Sequence, residues 1–335
     1  MIFMRFYGQL GRQEQYKEKE ITILEAMEHF KNYNIAKNLS IHTIRHYDDS
    51  LKMFKEFYDC NQLCNTLTEN IIFGFTAYLK QRGNMNDISV NTNLRAVRAM
   101  CYYFMKLGYT EPFAVTMVKT HKQIKETYTD YEIEILLEKP KISNTTFAEY
   151  RSWVIINYLL ATGNRIATVC DVRTKDIDFE TGSIRLCRTK NRREQIIPIS
   201  KTLKDILKEY IKYREGESED YLFCNVNGER LSENGLRLAI RKYNRGRGVQ
   251  KTSVHLFRHT FAKKWILNGG DVFRLQKMLG HSSMEIVREY VNMFSDDLKR
   301  DFDTFNPLEE FSTKKSKAIK TQPNTKLKTR ISCDF

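Results

Sequence analysis

Apolar positions in the N-terminal third recur every three or four residues, as they do on one face of a helix. "TILEAMEHFKNYN" (22–34) has this spacing, and "SIHTIRHYDDSLKMFKEFY" (40–58) follows it with Ser40 as the expected N-cap. "TLTENIIFGFTAYLKQRG" opens on a predicted capping box from Thr66 to Glu69 and ends at Gly83. "SVNTNLRAVRAMCYYFMKLG" is predicted to start at Ser89 and to end at Gly108. Four helices with short connections make a small helical bundle.

The pattern then breaks. "YTEPFAVTMVKTHKQIKET" carries Pro112 and several lysines and reads as an exposed connector. A further capping box, Thr129 to Glu132, opens a second helical region, and "AEYRSWVIINYLLATGNRIATVC" (148–170) gives a strong helix and a turn. In "DIDFETGSIRLCRTKNRREQIIPIS" the period falls to two, with β-branched residues around the turns "ETG" and "KNRR", so three short antiparallel strands are predicted. Helices resume at "KTLKDILKEYIKYRE" and are expected to run to about residue 304. The fold class is therefore multidomain and mainly α: a helical domain, then an α-rich mixed α/β domain with a small antiparallel sheet. The expected divisions are an N-terminal extension (1–19), a helical domain (20–110), a linker (111–127), a second domain (128–305) and a C-terminal segment (306–335).

Length agrees with this division, since 335 residues are about twice a typical single domain. No run of apolar residues is long enough to span a bilayer, so no membrane association is expected. The seven cysteines are odd in number and form no CxxC pair. That pattern speaks against a disulfide framework or a zinc ribbon and for a reducing, cytoplasmic location. A net charge of +14 changes the picture more, because it attracts polyanions, nucleic acid first among them. The tail from Ser312 adds seven basic residues against the single acid Asp334 and reads as a disordered strand of positive charge.

Several polar residues stand where a core does not need them. Arg165 follows the apolar helix in "ATGNR"; Lys190 sits at a predicted strand turn in "RTKNRRE"; His255 and Arg258 form an H-x-x-R pair on one side of a helix. Each alone reads as a solvated side chain. His255 and His259 are four apart, but the zinc-protease pattern needs Glu where Leu256 stands, and no metal site is expected. Tyr290, in "LGHSSMEIVREYVN", shares an apolar helix face with Ile286, Val287, Val291 and Phe294 and alone reads as a half-buried core tyrosine.

In chain order these residues are Arg165, Lys190, His255, Arg258, His281 and Tyr290, and so arranged the sequence strongly resembles the tyrosine recombinases, or phage integrase family. "ATGNR", "TKNRREQIIPI", "HLFRHTFAKKW" and "LGHSSMEIVREYVN" each match a family block, and the likeness covers roughly residues 20–305. The resemblance implies a SAM-like core-binding domain and a catalytic domain of the DNA breaking–rejoining fold, closing as a C-shaped clamp on duplex DNA. It implies Tyr290 as nucleophile, Lys190 as general acid, and Arg165, His255, Arg258 and His281 around the phosphate, with no metal and no nucleotide cofactor. It implies double-stranded DNA at paired sites as partner and a homotetramer on DNA. The free protein would be a monomer or dimer in the cytoplasm, associated with the nucleoid, with room for accessory DNA-bending proteins. In the family the segment after the tyrosine is exchanged between subunits; here that exchange and a fold-back onto its own domain are the two readings. Thr168 departs from the family, which often has an acidic residue three positions after the first arginine. The rival readings are a type IB topoisomerase and a non-catalytic DNA-binding regulator derived from an integrase.

Overall fold

The computed structural model describes residues 20–120, 126–187, 194–280 and 284. The chain divides into two compact units between Gln123 and Ile124.

The first unit is a bundle of α1 (Ile23–Ala36), α2 (Ile41–Phe57), α3 (Glu69–Gln81) and α4 (Asp87–Lys106). Its core joins Phe30, Phe54, Phe75, Leu94 and Phe104, with Phe54 meeting Phe75 edge-on at 5.1 Å between centroids. Each such side chain is worth about 1.5–3 kcal/mol on burial. Ser40 caps α2 as expected, accepting from the Thr43 N–H. The capping box predicted at Thr66 and Glu69 does not form. Thr66 instead closes a short 3-10 turn, its hydroxyl donating to the Leu63 carbonyl at 2.7 Å, and α3 starts after Thr68 with no side-chain cap. Helix α4 starts two residues earlier than predicted, because the Asn86 carboxamide accepts the Ser89 N–H at 2.9 Å.

The expected exposed connector is core in its first half. Tyr109 and Val115 are buried, and the buried Asn91 of α4 binds both the carbonyl and the N–H of Val118, each at 2.8 Å. One carboxamide thus stands in for the neighbouring strand that an extended backbone would otherwise need.

The second unit surrounds α6 (Phe147–Thr162), which buries residues on every side of its axis. Such a helix belongs at the centre of a domain. Around it pack α5 (Asp130–Leu137), α8 (Lys201–Arg214), α9 (Glu233–Gly246) and α10 (Val254–Leu267). The short helices α7 (Ile166–Asp171) and α11 (Val272–Leu279) complete the unit. The predicted capping box of α5 is present, with Thr129 and Glu132 each accepting the other's backbone N–H. The three strands are β1 (Ile177–Asp178), β2 (Ser183–Leu186) and β3 (Gln195–Pro198), antiparallel in that order. Ile177 pairs with Ile184, which pairs with Ile197, so one face of the sheet is buried aliphatic. Helix does not resume without interruption after the sheet. Between α8 and α9 the chain is irregular and tied by isolated bridges, Arg173 to Tyr221 and Cys224 to Arg230.

Candidate active site

Among the described α-helices of the second unit, all but α7 and α10 begin with a side chain capping the first turn. Those two carry or border the predicted site arginines. The residue at the cap position of α7 is Arg165 itself, and Ser253 at the head of α10 makes no capping bond. A residue that breaks a local rule without local gain is a mark of function.

Arg165 is placed by the turn that ends α6. Gly163 has a left-handed backbone, φ 62°, and a Cβ there would lie 2.5 Å from Phe261 Cδ1 and 2.8 Å from Leu279 Cδ2. Only a glycine lets α10 and α11 approach this turn so closely. The flanking residues lock it. The Thr162 hydroxyl donates to the Tyr158 carbonyl at 2.7 Å, and the buried Asn164 amide donates to the Tyr158 hydroxyl at 3.0 Å.

Arg258 is 6% exposed and sits on α10, one turn beyond His255. Its guanidinium donates from one terminal nitrogen to the Gly163 carbonyl and from the other to the Leu279 carbonyl, both at 2.7 Å. The half-buried Arg165 reaches the same Leu279 oxygen at 3.5 Å. Two guanidiniums that are 93 residues apart in sequence (258 − 165) therefore meet on one acceptor at the C-terminal end of α11. A helix C-terminus carries partial negative charge and carbonyls without a helical partner, so it suits this role.

His255 points from the first turn of α10, where it keeps contact with solvent. Its pKa is pushed below the ordinary 6.5, first by desolvation and then by repulsion from Arg258, Arg237 and Arg165, with Glu233 opposing. A neutral imidazole at neutral pH can accept a proton from one partner and donate its own to another.

The remaining three predicted residues, Lys190, His281 and Tyr290, lie outside the described residues, and so do the N-terminal extension and the C-terminal segment. Leu186 pairs with Gln195, so the segment bearing Lys190 joins the adjacent ends of β2 and β3. Gln195 is tied to the arginine site: its amide donates to the Lys277 carbonyl and, at 3.2 Å, to that of Met278, on the last turn of α11. Thr168, where the family often has an acid, is buried on α7.

Sequence reasoning passed over Arg237, Gln195 and the Leu279 carbonyl. Arg237 is an exposed residue of α9 and looks like any solvated charge, bonded to Glu233 one turn back. Gln195 lies inside a block already singled out, but nothing marks it as the residue that pins the strand to α11. A backbone carbonyl has no signature in sequence at all. Among the described residues no three His, Cys, Asp or Glu side chains cluster as a metal shell would require.

Residues 126–296 match the model of the phage integrase family, slightly more than half of the chain, and residues 27–107 match that of the phage integrase N-terminal SAM-like domain. The chain belongs to the phage integrase family. It is 27% identical over 287 residues to the tyrosine recombinase XerC of Thermodesulfovibrio yellowstonii, covering 82% of this chain and 93% of that one. In fold it is similar to the XerH site-specific recombinase bound to its palindromic difH substrate (TM-score 0.64, 20% identity, 83% of this chain and 84% of that one). It is also similar to the lambda integrase tetramer bound to a Holliday junction (TM-score 0.63, 15% identity, 84% and 85%). The integrase fold explains why α6, α10 and α11 converge. Each contributes one wall of a corner in which Arg165 of "ATGNR" and Arg258 of the His-x-x-Arg pair come within hydrogen-bond reach of one atom.

Proposed function

We propose that the chain is a site-specific DNA recombinase that cuts and rejoins strands through a tyrosine–phosphate ester. The observation that carries this is the convergence of Arg165 and Arg258 on the Leu279 oxygen beside His255. Two forks that meet on one oxygen can also clamp the non-bridging oxygens of one phosphodiester. Attack at phosphorus gathers negative charge on those oxygens, and fixed guanidinium donors stabilise it as an oxyanion hole does.

Tyr290 is the nucleophile in this reading. A phenol with a pKa near 10 is only about 0.1% ionised at pH 7, a deficit of roughly 4 kcal/mol. The cations around the phosphate offset much of it by favouring the phenolate. The tyrosine oxygen bonds to phosphorus, and the bond from phosphorus to the 5′-oxygen breaks. Lys190 gives that oxygen a proton, while neutral His255 accepts the proton of the phenol. The product is a 3′-phosphotyrosine and a free 5′-hydroxyl, and the retained ester lets another 5′-hydroxyl reverse the step. His281 adds a donor to the phosphate. Guanidiniums carry the charge stabilisation, so the steps written here call on neither metal nor nucleotide. Strand exchange between two duplexes needs four such sites, hence two dimers joined on paired DNA sites. The net charge of +14 supports the duplex as the ligand.

The test is Tyr290→Phe on a nicked duplex carrying the protein's own site. The variant keeps the ring and loses one oxygen, so binding persists while the denaturant-resistant protein–DNA adduct disappears. An adduct formed by the Phe variant would refute the assignment.

A further inference from the structure

His255 occupies the first turn of α10, the part of a helix that frays most easily, and Ser253 gives that turn no side-chain cap. What fixes it comes from far away in sequence. Tyr128, just before the capped start of α5, is 2% exposed and touches α10 and its lead-in at three levels. Its backbone N–H donates to the Thr260 hydroxyl at 3.0 Å, in the second turn of the helix. Its ring lies against Phe257 at 4.4 Å between centroids, inclined by 30°. Its phenol hydrogen faces the carbonyls of Lys251 and Ser253, at 3.3 and 3.4 Å, in the strand of chain that leads into the helix. The fully buried Asn244 of α9 completes the arrangement, its amide donating to the Tyr128 oxygen at 3.1 Å and to the Lys251 carbonyl at 2.7 Å. Lys251 in turn holds the Thr127 carbonyl at 3.1 Å and pairs with Glu132 at 2.9 Å and Glu126 at 3.5 Å.

The bonding is more than a core tyrosine needs. A phenol requires one acceptor, and here it faces two lead-in carbonyls, those of Lys251 and Ser253, while a third element donates to it. Residues 126–132 are thus bolted to residues 251–260, and the bolt sits directly under the His-x-x-Arg turn.

We propose that Tyr128 is a positioning residue: by anchoring the uncapped start of α10 it holds His255 and Arg258 in register with Arg165. The proposal rests on the recombinase reading for its functional consequence, while its structural content can be tested without DNA. Four charged groups face His255: Arg258 from its own helix, Arg237 and Glu233 from α9, and Arg165 from the turn before α7. If the first turn loosens, the imidazole gains water and moves away from the three guanidiniums. Its pKa then rises toward the ordinary 6.5.

The experiment compares the full-length protein with Tyr128→Phe and Tyr243→Phe. Tyr243 is also a buried tyrosine of the second unit, its hydroxyl donating to the Leu136 carbonyl at 3.2 Å, but it touches no part of α10's lead-in through that bond. Histidine Cε1–H resonances are titrated by NMR without DNA, with His255→Gln assigning the signal, and adduct formation is timed on the nicked site. Tyr128→Phe is expected to move the His255 midpoint upward and to slow adduct formation about tenfold or more, as small displacements of positioned groups do. DNA affinity should stay within about twofold, because the phosphate-binding charges are all retained. Tyr243→Phe should change neither midpoint nor rate. An unmoved His255 midpoint in Tyr128→Phe, or an equal movement in Tyr243→Phe, overturns the proposal. Should the unaltered protein form no adduct at all, the recombinase reading fails and the titration still decides the anchor. If Tyr128→Phe does not fold, Asn244→Ser, which removes the amide donor to the same phenol, is measured in its place with the same two outcomes.

Discussion

The glycine of "ATGNR" offers a measurement of how closely the site is packed. Gly163→Ala meets two penalties. A side chain in the left-handed region costs roughly 1–2 kcal/mol. A methyl placed 2.5 Å from Phe261 and 2.8 Å from Leu279 must push α10 or α11 aside, and overpacking of this kind costs about 1–3 kcal/mol. Gly182, in the turn between β1 and β2, has φ 66° and nothing within 4 Å of its absent Cβ. Gly182→Ala therefore pays the backbone term alone, and any gain from a stiffer unfolded chain is common to both variants. Both tryptophans, Trp153 and Trp265, lie in the second unit, so their fluorescence follows its unfolding without interference from the first. With a urea slope of about 2–3 kcal/mol per M, Gly163→Ala should lower the midpoint by roughly 1–2 M and Gly182→Ala by about half as much. Equal shifts would mean that the turn is not in contact with α10 and α11, and the geometry that joins the two arginines would lose its basis.

Other outcomes follow from the same geometry. Arg258→Lys cannot span the carbonyls of Gly163 and Leu279 with one ammonium, so single-turnover cleavage should fall about 10²–10³-fold, the loss expected for one fixed donor, while binding weakens little. The folded pKa of His255 lies below the unfolded value of 6.5, so on acidification the unfolded chain takes the proton first. The resulting stabilisation is present above about 6.5 and is lost as the pH falls through the folded value; His255→Gln should flatten that part of the stability curve, measured by urea titration at several pH values. Ending the chain at Ser312 should weaken DNA binding most at low salt and leave recombination possible, by gel shift and recombination assay. Ending it at Asp297 should spare binding to a single arm and abolish cooperativity on two arms; unchanged cooperativity would show that the segment after Tyr290 does not link subunits.

Much of this architecture was legible in the sequence. Period and caps located the four helices of the first unit and the three strands, since hydrophobic spacing reports burial directly. The four family blocks singled out Arg165, His255 and Arg258, and the structure brings these three together. Misses arose where one local partner displaced another, or where a distant residue supplied what the local pattern lacks. Thr66 matches the capping-box pattern but closes the turn before it, and α4 starts where Asn86 finds an N–H to accept. The connector is polar by composition, yet Asn91 supplies its backbone with partners and Val115 supplies apolar surface, so its first half joins the core. Tyr128 reads as one more aromatic before a capping box; its bonds to residues 251, 253 and 260 span more than a hundred positions, beyond the reach of any local pattern.

The meeting point of the two arginines is a backbone oxygen, and that decides which mutations can reach it. Every amino acid carries a carbonyl, so replacing Leu279 changes what packs against Gly163 but cannot delete the acceptor. Insertion or deletion is different. Removing one residue from α11 turns everything after it by about 100° and shifts it by about 1.5 Å, which aims another carbonyl at Arg258 and carries the capping Gly280 out of phase. This corner of the protein should therefore tolerate many exchanges of letters and almost no change of length, a pattern that a scan of single substitutions beside single-residue deletions through 272–280 would reveal at once.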